Sequence, residues 1–336
     1  MALIDEIREQ PGSLDRVTLQ SADSFVEVAR RAAGCGHVVI AARGTSDNAA
    51  RYAQYVWGMR NGMSVSLATP SLFSLYRRPP RLDSALVVAI SQSGQSPDIV
   101  AVLEEARAQG RPTVSITNAS KSPLAAVSDV VVDLHAGPET AVAATKTYTA
   151  QLAAIAAISE AMLGRPAPGR LSELAADALD RETSARAVAQ TMGSFEHAAV
   201  LGRGFNLSTA FEWALKMQEL SYVVAQPFST ADFLHGPIAV VDRRYPVLAV
   251  VAEGPTSGDV FDALSRAKER GAPTVVVSNT ASTGVGDERM TFPEAEEWLS
   301  PIPAIVVAQL FTYWLTVEQG NDPDNPRGLS KVTKTV

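Results

Sequence analysis

The sequence predicts an α/β protein of two tandem units, each a parallel sheet flanked by helices. Three observations carry this prediction. An internal repeat runs at an offset of about 160 residues, the signature of a duplicated structural unit. Its strand-length segments are Val/Ile-rich and largely apolar, as strands covered on both faces are. Helical patterns alternate with them, which implies parallel strands joined by right-handed crossovers.

The elements pair in order. His37-Val-Val-Ile-Ala-Ala-Arg43-Gly44 matches His197-Ala-Ala-Val-Leu-Gly-Arg203-Gly204. Both are apolar runs that end in Arg-Gly and lead into a helical pattern. Ala85-Leu-Val-Val-Ala-Ile-Ser91 matches Pro246-Val-Leu-Ala-Val-Val-Ala252, and Gly110-Arg-Pro-Thr-Val matches Gly271-Ala-Pro-Thr-Val. Each of the last two glycines suits the end of the preceding helix, where a left-handed residue closes the last turn. Pro166 to Arg170 reads as the linker, followed by a helix over about Leu171–Met192. Ligands of such folds bind beyond the carboxyl ends of the strands. The chemistry is therefore expected in the loops after Ala42, Ile90 and Ile116, and after Leu201 and Val251.

Composition narrows the function. The chain has 336 residues, enough for two domains, and 46% of them are hydrophobic, which disfavours disorder. Its net charge of −7 leaves no basic surplus for a phosphate backbone, so a nucleic-acid partner is not expected. The single Cys35 forms no intrachain disulfide, in keeping with a reducing compartment. His37, His135, His197 and His235 make no zinc-ligand spacing with it, so no metal site is expected. The N-terminus has no signal-peptide pattern. No run reaches the ~18 consecutive apolar residues of a membrane span. A cytoplasmic protein without membrane association is expected.

Ser91-Gln92-Ser93-Gly94-Gln95-Ser96-Pro97-Asp98 follows a buried strand and opens a helix, with Pro97 suited to the first turn. Hydroxyls and free N–H groups at a helix N-terminus form an anion site. An ordinary Ser-rich cap is the plain alternative. Gly44, Thr45 and Ser46 offer similar donors after the first strand, and two such loops in one unit favour a phosphate-type ligand. The chain has neither Gly-Lys-Ser/Thr nor Gly-x-Gly-x-x-Gly, so a phosphorylated ligand smaller than a nucleotide is favoured.

In the second unit, the helix Ser208–Leu220 places Glu212, Lys216 and Glu219 on one face. A solvated Glu–Lys pair is the plain alternative, worth roughly 0.2–0.5 kcal/mol. Phe211, Trp213, Leu215 and Leu220 surround these charges, however, and a carboxylate beside a lysine in a half-buried cleft is a proton shuttle candidate. His235 precedes Gly-Pro in a loop, where functional residues concentrate. Asp322 to Lys334 is polar and not expected to be helical.

Taken together, these segments resemble the sugar isomerase (SIS) family. They are most similar to the isomerase half of glutamine:fructose-6-phosphate aminotransferase and to stand-alone SIS-type glucosamine-6-phosphate deaminases. Gly-Thr-Ser from Gly44, Ser-Gln-Ser-Gly from Ser91, Ala136-Gly-Pro-Glu139, Ala144-Thr-Lys146 with Thr149, Leu201-Gly-Arg-Gly204, Ala214-Leu-Lys216 with Glu219, and His235-Gly-Pro237 carry the resemblance over nearly the whole chain. It implies an N-terminal SIS domain over 1–165 that binds the phosphosugar and a C-terminal SIS domain over 171–320 with the acid–base residues. A tail over 321–336 would close the active site. Ser46, Ser91, Gln92, Ser93 and Ser96 would hold the sugar phosphate, with Gly44, Thr45, Val142 and Ala144 as further substrate contacts. Glu219 would move a proton between C1 and C2, and Glu212 and Lys216 would complete the site. His235 would assist ring opening and reach the neighbouring subunit of a homodimer. Lys331 would lie beside the sugar carbonyl as a Schiff-base candidate.

The departures point to a branch of the family. The aminotransferase carries a glutaminase domain with an N-terminal cysteine nucleophile, whereas this sequence starts Met1-Ala2, and no amide-nitrogen source is expected. The aminotransferase motif has serine where this chain has Ala144. Ser91 to Asp98, Ala143-Ala-Thr-Lys146 and Phe233-Leu-His-Gly-Pro237 resemble the deaminase branch. The expected activity is therefore deamination and isomerisation of an amino-sugar 6-phosphate to a ketose 6-phosphate and ammonia, without cofactor. Alternatives are a deglycase of fructosamine 6-phosphates, a phosphosugar-sensing regulator, and a synthase running on free ammonia. The acidic charge and the two SIS units disfavour the regulator, whose class commonly joins one such unit to a helix-turn-helix domain.

Overall fold

A computed structural model describes residues 2–280 and 285–331. Val332–Val336 of the expected tail lie outside the described residues. The chain forms two compact units whose segments interleave. Among the described residues, the first contains Gly12–Glu139, Lys146–Leu171 and residues 330–331, and the second contains residues 2–11, Thr140–Thr145 and Ser172–Leu329.

The first unit is built on five strands: β1 (His37–Ala41), β2 (Ser64–Leu67), β3 (Ala85–Ile90), β4 (Thr113–Thr117) and β5 (Val130–Asp133). All pair in parallel, in the order β2-β1-β3-β4-β5. Every residue of β3 and β4 is buried. The long helices Thr45–Asn61 and Lys146–Met162 pack together, and the buried Trp57 donates its Nε1–H to the Ile155 carbonyl at 3.0 Å.

The second unit repeats this plan with β6 (His197–Gly202), β7 (Val224–Ser229), β8 (Val247–Val251), β9 (Thr274–Ser278) and β10 (Glu288–Thr291). The order β10-β9-β8-β6-β7 is the same topology, again parallel throughout. Its core includes Leu201, Phe233, Val247, Ala249, Val251 and Leu264. The helix Pro301–Glu318 has the length and apolar composition of a membrane span, but 83% of it is buried within the fold. Trp213 meets its Phe311 edge to face, with centroids 5.6 Å apart.

Each half thus gains an edge strand on either side of the three matched strands. The edges were hard to see because their signals are weak. β2 is the short, alternately exposed Ser-Val-Ser-Leu, and β7 contains Pro227, which cannot donate to a ladder and is tolerated at a sheet edge. Two helices also differ from expectation. The segment over Leu171–Met192 is broken into Leu171–Leu179 and Glu182–Met192. The segment over Ser208–Leu220 is an α-helix only over Leu207–Lys216 and continues as a π-turn over Met217–Ser221.

The repeat extends to polar clasps that the strand matches did not reveal. Thr113 donates its N–H to Asp129 at 2.9 Å, and the Asp129 N–H returns to Thr113 Oγ1 at 3.0 Å. Thr274 and Asp287 form the same exchange at the same distances. Arg43, after β1, binds Asp98 in the first turn of the helix Pro97–Ala108 at 2.9 Å. Arg203, after β6, reaches the equivalent Asp259 at 3.6 Å. The arginine of each matched Arg-Gly pair therefore links the end of one strand to the start of the helix that follows the neighbouring inner strand.

Asp129→Ala leaves the buried Thr113 N–H without its acceptor and should cost about 1–3 kcal/mol, read from the denaturant midpoint. Burial alone would raise the Asp287 carboxyl, but hydrogen bonds from Lys268 and Thr274 outweigh it and hold the pKa below the ordinary value. Its stabilisation is complete above the unfolded pKa of about 3.9 and is lost as pH falls through the folded pKa. Asp287→Asn should therefore flatten the loss of stability below about pH 4 relative to wild type.

Candidate active site

In the first unit the strand order reverses between β1 and β3, the switch point at which such sheets bind ligands. The two loops singled out from the sequence both start there. Gly44 has φ +54 at the start of the helix Thr45–Asn61. Ser46 is buried, and its Oγ accepts from Gln151 Nε2 at 3.0 Å. Burial pushes the Asp47 carboxyl up, against the pull of Arg51 at 3.1 Å.

The second loop orders itself. Gly94 N–H donates to Ser91 Oγ at 3.1 Å, and Gln95 N–H donates to Ser93 Oγ at 3.3 Å. Gly94 has φ +60, and a Cβ there would lie 2.1 Å from Ser122 Oγ. Only glycine lets the loop lie against the short helix Pro123–Ala126, whose first turn Ser122 caps. The carbonyl of Gln92 accepts from Asn118 N–H at 3.1 Å. Ser96 begins the helix Pro97–Ala108 without a side-chain capping bond. The result is a turn rich in hydroxyls at a helix N-terminus, an arrangement suited to an anion.

Lys331 lies in the same unit. Its ammonium is 2.8 Å from the fully buried carboxylate of Glu139, which also accepts from the Thr147 N–H at 3.1 Å and the Thr147 hydroxyl at 2.8 Å. Glu139 belongs to a motif that carried the family resemblance, but the sequence offered no sign that it holds Lys331.

The second unit contains the charge triplet. Lys216 Nζ is 3.4 Å from Glu212 Oε1 and also bonds Glu219 Oε2. Glu212 and Lys216 are 0% and 1% exposed, whereas Glu219 is 23% exposed. Burial works against the Lys216 ammonium, but Coulombic attraction to Glu212 and Glu219 outweighs it and holds the pKa above the ordinary lysine value. Lys216 is therefore a fixed cation. The α-to-π transition falls between Lys216 and Glu219, and π-turns are frequent at functional sites. Glu219 is the member of the triplet that solvent reaches.

His235 caps the short helix Thr230–Leu234 and is exposed. Its N–H donates to the Asp232 carbonyl at 3.2 Å. Val142 and Ala144 are half-buried in the segment Thr140–Thr145, which clusters with the second unit.

The counterpart of the Ser91–Ser96 turn in the second unit is occupied from within. Glu297 Oε1 accepts from Thr256 Oγ1 at 2.8 Å, and a Cβ on Gly254 would lie 2.7 Å from the Glu297 carboxylate. A carboxylate of the chain itself sits where the first unit has a turn of hydroxyls. Glu297 lies 43 positions beyond Gly254, and only the fold brings it there.

Comparison with known proteins places these features in a family. The SIS domain model matches residues 33–161 and 194–319, and the chain belongs to the SIS-domain family. The glutamine–fructose-6-phosphate aminotransferase (isomerizing) of Thermococcus kodakarensis is 31% identical over 344 residues, covering 98% of this chain and 57% of that protein. The chain thus spans little more than half the length of the curated relatives it matches. The C-terminal domain of glucosamine-fructose-6-phosphate aminotransferase from Francisella tularensis superposes with a TM-score of 0.88 at 26% identity, over 97% of this chain and 98% of that one. Glucosamine-6-phosphate deaminase from Thermotoga maritima gives 0.81 at 20% identity over the whole of both chains, a likeness of fold.

Lys216→Met removes the one cation between two carboxylates. It should destabilise the protein by about 3–5 kcal/mol, the range for breaking a buried ion pair, measured by chemical denaturation. Adding Glu212→Gln should recover part of that loss.

Proposed function

We propose that the protein is an amino-sugar 6-phosphate deaminase and isomerase that converts glucosamine 6-phosphate and water to fructose 6-phosphate and ammonia. The observation that carries this reading is the Glu219 carboxylate, reachable by solvent and held by the fixed cation Lys216 above a buried Glu212. The hydroxyl-rich turn at Ser91–Ser96 supports a phosphorylated substrate.

The chemistry follows from the residues. After ring opening the sugar has an aldehyde at C1 and an amine on C2. Glu219 takes the C2 proton while the C1 oxygen gains one from water, leaving an enolamine; it then returns its proton to C1 as the nitrogen gives one up to water. C2 is then an imine, water adds to it, the C–N bond breaks, and ammonia leaves with the proton that completes it. A carboxylate that first accepts and then donates suits both transfers. In this reading Ser46, Ser91, Gln92, Ser93 and Ser96 hold the phosphate, and Gly44, Thr45, Val142 and Ala144 line the sugar. His235 opens the ring, its exposed position serving a neighbouring subunit in a homodimer. A Schiff base at Lys331 requires that lysine to leave Glu139.

The test is ammonia and fructose 6-phosphate release from glucosamine 6-phosphate, beside galactosamine 6-phosphate and fructosamine 6-phosphates of amino acids. Turnover of the fructosamine adducts alone would replace this reading with a deglycase. Glu219→Gln should lower kcat by roughly 10²–10⁴-fold, the usual contribution of a positioned acid–base group; equal ammonia release by variant and wild type removes Glu219 from the mechanism. Gly94→Ala forces the phosphate turn off Ser122 and should raise KM at least about tenfold, equivalent to ~1.4 kcal/mol of binding.

A further inference from the structure

The N-terminal helix Ala2–Arg8 carries a carboxylate that the proposed chemistry does not use. Glu6 is 4% exposed. It accepts from the Thr140 hydroxyl at 3.0 Å and from the Ala141 N–H at 3.3 Å through each oxygen, and it also binds the Thr140 N–H. Its helix is fixed to the same unit by Leu3 N–H to Asp324 at 2.9 Å and by Arg8 to Glu182 at 2.9 Å. Just beyond the helix, Gln10 reaches Gln309 at 2.9 Å.

A buried carboxylate is costly to hold in a fold unless donors satisfy it. Here the donors are two consecutive backbone N–H groups and the hydroxyl between them. A carboxylate accepts at both oxygens and suits such a set, whereas an amide presents an NH₂ where only acceptors fit. The segment it grips runs directly into Val142 and Ala144.

We infer that Glu6 is a positioning residue that sets the backbone at Thr140–Ala141 and thereby orients the Val142–Ala144 segment against the sugar. The inference rests on the reading above, in which Val142 and Ala144 touch the substrate. Glu6 acts on binding through this segment and takes no part in proton transfer, which belongs to Glu219.

Glu6→Gln keeps the size and removes one acceptor. It should raise KM for glucosamine 6-phosphate about tenfold, the scale of one lost buried hydrogen bond, with kcat within about threefold of wild type on the same scale. Amide hydrogen exchange should quicken at Thr140 and Ala141 and stay unchanged in β3 and β8. Thr140→Val, which removes only the hydroxyl donor, should give a smaller rise in KM. A second measurement separates this inference from the proposed reaction. The dissociation constant of sorbitol 6-phosphate, which cannot react, is measured by calorimetry for wild type and Glu6→Gln. Weaker binding by the variant supports the positioning role even when no substrate in the panel is turned over. Equal binding, or a fall in kcat at constant KM, overturns it. Exchange that quickens across the whole second unit would make Glu6 a general stabiliser and also overturns it.

Discussion

The molecule is organised by one constraint: a parallel sheet covered on both faces has no room for charged groups. Every residue of β3, β4, β8 and β9 is buried, so a charge within these strands would meet the cost of desolvation without solvent to relieve it. Charged side chains gather instead where strands end and helices begin. There the backbone offers unpaired N–H groups, and the reversal of strand order opens a crevice between neighbouring loops. The hydroxyl turn at Ser91–Ser96 and the loop at Gly44–Ser46 fall at this position in the first unit because the topology leaves little other place for them.

The same constraint acts on both units, yet they have diverged at the loops. The clasps Thr113–Asp129 and Thr274–Asp287 are nearly superposable in their bond lengths. They satisfy groups buried beside the inner strands, so neither unit can lose its clasp cheaply. The loops after β3 and β8 are under no such control. One is a turn of hydroxyls around Gly94; the other carries Glu297 against Thr256. A carboxylate at a helix N-terminus is favourable for the same reason a bound anion is. The second unit thereby places its own carboxylate beside a helix start, and electrostatic repulsion would resist a phosphate there.

How much of this could be read in advance depends on whether a feature is local. The inner strands, the glycines that end the helices at Gly110 and Gly271, and the Ser91 turn are local patterns of period, residue type and backbone freedom. Glu212, Lys216 and Glu219 were visible as a helical face, but the π-turn that changes the geometry after Lys216 has no comparable signature. The edge strands β2 and β7 escaped because partial exposure and Pro227 weaken the apolar signal. The contacts Glu139–Lys331, Glu6–Thr140 and Glu297–Thr256 join residues far apart in sequence, so no window along the chain contains them. Chemistry-bearing residues were legible where they sat in motifs, whereas the residues that hold them in place were not.

The charge triplet shows why such holding groups matter. Two carboxylates flank one ammonium in a setting where Glu212 and Lys216 are almost wholly buried. Removing the positive charge would leave like charges facing each other at low effective dielectric, so Lys216 stays protonated and cannot itself carry protons at neutral pH. It anchors Glu219, and the π-turn that bears Glu219 must be braced in turn. It ends at Tyr222, a non-glycine residue with φ +58. A tyrosine in that region is strained by of order 1–3 kcal/mol and persists only where its surroundings determine it. The surroundings do so from both ends of the side chain. The Tyr222 hydroxyl accepts from the Arg327 N–H at 2.9 Å, and the Arg327 guanidinium lies 3.8 Å over its ring. Next to it, Ser221 bonds Thr316 at 2.8 Å. The turn that presents Glu219 is thus locked by groups from the last helix and from the segment that follows it, which makes its geometry a property of the folded unit and not of the local sequence.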